Sequence, residues 1–169
     1  IKRFFSWCVD RDLLQSSPAY RMKAPSEEHS RERVLTDAEL GAVMKAADAM
    51  GRPFGHMVKV LVLTGQRRKE VAGMRWSEID LVAKVWTIPA GRTKNKRTHN
   101  LPLSDAVVAI LETVRVEGQD LIFTTTGNTA VSGFSRAKAI LDKKVLAGVR
   151  REAEERGEPP DGAKLAPFT

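Results

Sequence analysis

The sequence predicts an α+β domain, mainly helical, with a small antiparallel β-sheet. Three observations carry that expectation. Apolar residues recur at three- and four-residue steps in several segments, each opened or closed by a capping signal. Between those segments lie two short runs of strand character, separated by a polar, basic tip. The 169 residues, 42% apolar and 29% charged, are enough for one ordinary domain with a buried core and a fragment of another.

Taken in order, Ile1 to Val9 reads as the end of a helix, with Phe4, Phe5 and Trp7 joined by Leu13 and Leu14 in an apolar cluster. The polar stretch from Gln15 to Arg33 contains Pro18 and Pro25, which block regular structure, and reads as a linker. These boundaries give a helix end over 1–14, a linker over 15–33 and a main domain over 34–169. Thr36-Asp37-Ala38-Glu39 is a capping box, in which hydroxyl and carboxylate each satisfy an amide at a helix start, and Leu35 with Leu40 completes a hydrophobic staple. Leu40, Val43, Met44 and Ala47 keep one face of that helix apolar, and Gly51 stops it. Pro53 opens a second helix with Phe54, Met57, Val58, Leu61 and Val62 facing a core, ended by Gly65. A third begins around Arg67 and sets Arg67, Glu70, Val71 and Met74 along one side.

Val85-Trp86-Thr87-Ile88 alternates as a strand does, and Thr98 to Leu103 offers a second, so Gly91 to Arg97 forms the tip between them. Ser104 caps a helix carrying Val107, Val108, Ile110, Leu111 and Val114. Leu121-Ile122-Phe123 is a short strand candidate before Gly127-Asn128. The last helix starts near Ser132, runs through Ala137, Ile140, Leu141 and Val145, and becomes charged from Arg150 to Glu158, before the loop Pro159-Pro160-Asp161-Gly162. There is no internal repeat.

Lys plus Arg number 28 against 21 Asp plus Glu, for a formal charge of +7. Most of the excess falls in residues 81–104, where Lys84, Arg92, Lys94, Lys96 and Arg97 stand without a carboxylate in the same stretch. Such a stripe is the footprint of a phosphate-backbone binder, whose affinity depends on salt through counterion release. A solvated loop would carry the same residues. Other classes are excluded or unsupported. No apolar run approaches the ~18 residues of a membrane span. The lone Cys8 cannot form an internal disulfide, and no Cys or His cluster offers a zinc ligand set. A phosphate-binding Gly-x-x-x-x-Gly-Lys-Ser/Thr loop is missing, so no nucleotide or metal cofactor is expected. A cytoplasmic protein is the expectation. The start at Ile1, inside an apolar-basic pattern, predicts a chain that begins partway through a longer protein.

Leu63-Thr64-Gly65-Gln66-Arg67-Arg68-Lys69-Glu70-Val71, followed by Met74-Arg75-Trp76 and Ile79-Asp80, resembles the first arginine motif of the tyrosine recombinase (phage integrase) family. Gly91-Arg92-Thr93-Lys94-Asn95-Lys96-Arg97 and then Leu101-Pro102-Leu103-Ser104 resemble, in order and distance, that family's lysine hairpin. The resemblance covers residues 34–169, while residues 1–14 resemble the last helix of the family's core-binding domain. It implies part of the family's DNA breaking-rejoining catalytic fold. It also implies site-specific DNA recombination or integration by phosphoryl transfer, with double-stranded DNA and further protomers of a tetrameric synapse as partners, and with no metal.

By the same resemblance Arg67 is the first catalytic arginine, on the non-bridging oxygens of the scissile phosphate. Lys94 is the general acid of the hairpin, with Lys96 the second candidate. The chemistry suits the residue types. A guanidinium holds phosphate oxygens by paired hydrogen bonds as their charge grows. An ammonium, with an unperturbed pKa of ~10.4, can protonate an alkoxide leaving group. Glu70, one turn on, can orient Arg67. Arg68, Lys69, Arg75, Arg92, Lys96 and Arg97 read as cations that position the DNA backbone. His99 either touches DNA or ends a strand. His56 reads as an ordinary helix residue, His29 as linker, Cys8 as a small buried hydrophobe, and Trp76 and Trp86 as packing residues.

The family's His-x-x-Arg motif, a later His or Trp and the nucleophilic tyrosine have no counterpart here. Leu165-Ala166-Pro167-Phe168-Thr169 resembles the segment that runs into the first of these, and Tyr20, the sole tyrosine, precedes Arg67 in linker-like sequence. The expectation is therefore a recombinase parent protein and a fragment that binds duplex DNA weakly without cleaving it. The other reading is a non-catalytic DNA-binding module or regulator derived from the same fold.

Overall fold

The computed structural model describes residues 1–23, 34–157 and 159. The chain forms two compact units, 1–34 and 35–169. The linker residues 24–33, with Pro25 and His29, and the closing segment Leu165–Thr169 lie outside the described residues.

In the first unit, helix α1 spans Lys2–Asp10 and turns follow to Arg21. Cys8 is buried, as its small apolar character suggested, and so is Ala19. Phe4 stacks on Trp7 at 6.4 Å between ring centroids, and the Arg11 guanidinium lies 5.1 Å over the Trp7 ring.

The second unit begins with α2, Asp37–Met50. Its capping box is complete: the Glu39 amide donates to the Thr36 hydroxyl at 3.3 Å, and the Thr36 amide donates to the Glu39 carboxylate at 2.9 Å. Helix α3, Phe54–Thr64, ends at Gly65 in the left-handed region with φ +63°. The two helices cross so closely that a Cβ on Gly55 would lie 2.0 Å from the Ala47 carbonyl oxygen. Helix α6, Phe134–Glu155, packs Leu141 and Val145 against Val43, Ala46 and Ala47 of α2, with Val58 and Val149 at the margin.

Strands β1 (Ile79–Asp80), β2 (Val85–Ile88) and β3 (His99–Pro102) form an antiparallel sheet in that order, with Trp86 opposite Ile79 and Leu101, and Ile88 opposite His99. Alternation sends Trp86 and Ile88 into the core and Thr87 to solvent. There they meet Met57 and Val60 of α3, Val71 of α4 (Arg68–Ala72), Val107 and Leu111 of α5 (Asp105–Thr113), and Phe123. Trp76 packs partly buried against this core, with the Arg115 guanidinium 5.1 Å over its ring. The architecture is mixed α+β, mainly helical, with one small antiparallel sheet.

Two elements differ from the sequence expectation. Two-residue β1 carries too little alternation to announce itself. Leu121–Phe123 is not a strand of the sheet but forms an isolated bridge to Arg75, through Ile122 N–H to the Met74 carbonyl at 3.0 Å and Trp76 N–H to the Asp120 carbonyl at 2.8 Å. The reason lies in its partner, which curls into a 3₁₀ turn at Trp76–Glu78 and cannot extend the ladder.

Candidate functional site

Arg67 sits in the tight connection between α3 and α4. Gly65 reverses the chain, and Arg67 then takes extended angles (φ −67°, ψ 140°) as the residue just before α4. Glu70 fixes it from three residues on. Its carboxylate accepts the Arg67 amide and the Arg67 Nη1, each at 3.1 Å. The side chain of Glu70 is 4% exposed and that of Arg67 61% exposed, so a buried anion holds a guanidinium whose remaining donors face water.

Across from this turn stands the link between β2 and β3. After a 3₁₀ turn at Ala90–Arg92, the Thr93 hydroxyl closes the neck, accepting the Arg97 amide at 3.1 Å and donating to the Arg97 carbonyl at 2.7 Å. Within the loop so closed, Lys96 takes a left-handed conformation with φ +51°. Lys94, Asn95, Lys96 and Arg97 are all exposed.

The two structures enclose a cleft of about 350 Å³, lined by Gln66, Arg67 and Glu70 on one wall and by Thr93, Asn95, Arg97, Thr98 and His99 on the other. Of the residues singled out in the sequence, Arg67, Glu70, Arg97 and His99 meet here. Lys94 and Lys96 each stand on the tip between two lining residues without lining the cleft themselves. Arg68 and Lys69 are exposed on α4, with the Arg68 guanidinium 4.6 Å over the Phe134 ring. His99 opens β3 and lines the cleft, so the two roles open to it in sequence coincide in place. Half-buried His56 lies on α3 away from these walls.

Three basic residues differ from the expectation of free cations. Arg92 turns inward, pairing with Glu78 and donating to the Glu70 carbonyl oxygen at 2.6 Å. Arg75 pairs with Asp120 at 3.0 Å. Lys84 pairs with Asp105 at 2.5 Å, and its ammonium holds that carboxyl below the usual carboxylate range. The basic stripe is free of carboxylates in sequence only. Folding supplies Glu78 and Asp105 from flanking elements, and within the stripe the cations without a carboxylate partner among the described residues narrow to Lys94, Lys96 and Arg97.

Gln66, Thr93, Asn95 and Thr98 also line the cleft; all are neutral hydrogen-bonding residues, the first three inside the two motifs and Thr98 directly after the second, and that position beside the charged residues is the signal that marks them. Glu78 lies three residues beyond Arg75, the spacing at which a carboxylate reaches back to a turn's amide, and it accepts the Arg75 amide at 3.3 Å. Among the described residues no group of three or more His, Cys, Asp or Glu is placed to hold a metal ion, and no helix is long and apolar enough to cross a membrane.

Known proteins share this fold and part of this sequence. Prophage integrase IntA of Escherichia coli (strain K12) is 34% identical over 118 residues, covering 62% of this chain and 29% of that protein. The integrase of Shigella phage Sf6 is 38% identical over 56 residues, covering 33% of this chain and 14% of that protein. The chain thus spans less than a third of the length of either relative. Among solved structures, a lambda integrase tetramer bound to a Holliday junction matches with a TM-score of 0.63 at 19% identity, over 86% of this chain and 44% of that one. A lambda integrase dimer bound to a COC' core site matches with a TM-score of 0.61 at 16% identity, over 99% of this chain and 72% of that one. These likenesses show the fold. The sequence model of the phage integrase family matches residues 33–160, through every helix and strand from α2 to α6. The arginine turn and the basic hairpin therefore stand on a framework of known lineage, and the chain belongs to the phage integrase family.

Proposed function

We propose that this chain is the amino-terminal part of the catalytic domain of a tyrosine-class DNA integrase, with residues 1–14 ending a core-binding domain. The observation that carries the reading is the cleft: a buried carboxylate presents the Arg67 guanidinium on one wall, and the other wall belongs to a hairpin whose tip carries Lys94, Lys96 and Arg97. A scissile phosphodiester fits that polarity. Glu70 occupies Nη1 of Arg67, and the other donors hold the non-bridging oxygens where charge builds in the transition state.

In the reaction we propose, a tyrosine hydroxyl from sequence outside this chain bonds to phosphorus, its proton passing to a base also outside it. The bond from phosphorus to the leaving sugar oxygen breaks, and that oxygen takes a proton from the Lys94 ammonium, leaving the amine neutral. Lys96, Arg97, Arg68, Lys69 and His99 meet the duplex backbone. Full-length protomers assemble as a tetramer on paired sites. The chain alone, with Tyr20 as its one tyrosine, binds duplex DNA without cleaving it. In the full-length protein, Arg67→Ala abolishes covalent trapping on a suicide DNA substrate while duplex binding stays within a few-fold of the parent. A protein that never forms the covalent adduct, with Arg67 intact, is instead a binding module of the same fold.

A further inference from the structure

Arg92 is one of the cations the sequence offers to DNA, yet its guanidinium is engaged inside the protein. Nη1 pairs with Glu78, and Nη2 donates to the Glu70 carbonyl oxygen at 2.6 Å. Glu78, its side chain 7% exposed, also accepts the Trp86 indole N–H at 3.0 Å and the Arg75 amide at 3.3 Å. Gly73 makes room for the fork: a Cβ there would stand 3.0 Å from Nη2. One side chain therefore joins the backbone of α4, the 3₁₀ turn at Trp76–Glu78 and the segment one residue before Thr93 closes the lysine loop.

Pairs of this kind add little net stability, because desolvation offsets most of the attraction. A planar, doubly hydrogen-bonded guanidinium instead fixes the distance and orientation between the groups it joins. Here those groups are the peptide of Glu70, whose own carboxylate holds Arg67, and the base of the loop bearing Lys94. We propose that Arg92 is a positioning residue: the Glu78–Arg92–Glu70 strut sets the hairpin tip against the arginine turn, so that the Lys94 ammonium reaches the leaving oxygen of the phosphate held by Arg67. The proposal rests on the reading of Lys94 as the proton donor.

The test compares, in the full-length protein, cleavage of a suicide duplex with cleavage of the same duplex carrying sulfur in place of the leaving oxygen. A thiolate is the base of an acid with pKa ~8.5 and departs without a proton donor. Lys94→Ala is expected to lose about 10²- to 10⁴-fold on the oxygen substrate and to recover most of that rate on sulfur. Arg67→Ala loses activity on both. Arg92→Lys keeps the charge but replaces the planar fork of two nitrogens with a single one, and it is expected to follow Lys94→Ala, slow on oxygen and restored on sulfur. Glu78→Gln, which retains an acceptor for the Trp86 indole, repeats the measurement from the other end of the strut should Arg92→Lys unfold. Parental rates on oxygen, or equal losses on both substrates by a folded variant, overturn the strut while leaving the Lys94 reading intact. Failure of sulfur to rescue Lys94→Ala overturns that reading and the strut with it.

Discussion

The Glu70 carboxylate lies in the core's margin while the guanidinium it holds is largely in water, and this asymmetry decides what the pair contributes. Solvent screens the ion pair on the Arg67 side, so its share of stability falls in the range of exposed pairs, below ~1 kcal/mol. The larger effect is orientation, because one carboxylate accepts both the Arg67 backbone amide and its Nη1, tying the guanidinium to its own turn. Glu70→Gln is therefore expected to lower stability by only about 1 kcal/mol, the usual worth of a helix cap. In the full-length protein it is expected to slow DNA cleavage at least tenfold, read by trapping kinetics beside thermal unfolding. Unchanged cleavage would mean that Arg67 finds its place without the carboxylate.

Helices α2 and α3 supply a contrast between two glycines within their spans. A Cβ on Gly55 would strike the Ala47 carbonyl at 2.0 Å, whereas one on Gly41 would meet nothing within 4 Å. Gly55→Ala must push the two helices apart, at about 1–3 kcal/mol, which outweighs the helix-propensity gain. Gly41→Ala keeps that gain alone, about 0.5–1 kcal/mol. Urea midpoints moving in opposite directions at unchanged slope check both signs.

The segment that carries Arg75 is tied to the loop after α5 by Asp120, which accepts the Ser77 amide at 2.9 Å and pairs with Arg75. The Ser77 amide, and after it the Arg75 guanidinium, holds this carboxyl below the usual carboxylate range. A depressed folded pKa means that the contribution is complete above the ordinary carboxylate value and is lost as pH falls through the lower folded value. The acid limb of the stability curve is accordingly expected to flatten in Asp120→Asn, measured by chemical unfolding at a series of acid pH values.

At the scale of the whole molecule, a count of the basic residues around the hairpin overstates what a polyanion would meet. Lys84, Arg75 and Arg92 are neutralised by Asp105, Asp120 and Glu78, while Lys94, Lys96 and Arg97 project from one hairpin. Each phosphate neutralised contributes about −0.9 to the slope of log affinity against log salt. Replacing Arg97 with Ala is expected to make the slope for duplex binding shallower by about one, and Arg75→Ala to leave it unchanged. Equal effects would mean that charge is read without regard to place.

Helices and caps were legible because they are local. Thr36 and Glu39 lie three residues apart, and Gly65 and Ser104 act on their immediate neighbours, so short-range chemistry specifies them. The arginine turn and its supporting Glu70 were legible for the same reason. The short pairing of Leu121 with Arg75 was not, because its extent depends on the curl of a remote partner. The sequence by itself determined the fold class, the elements and the cationic residue types at two motifs, since spacing along the chain encodes each of them. Only the tertiary structure decided which cations remain free and that the hairpin faces Arg67. Ion pairs such as Arg92 with Glu78 and Lys84 with Asp105 join residues from separate elements, and a carboxylate's approach through space leaves no mark on the order of residues.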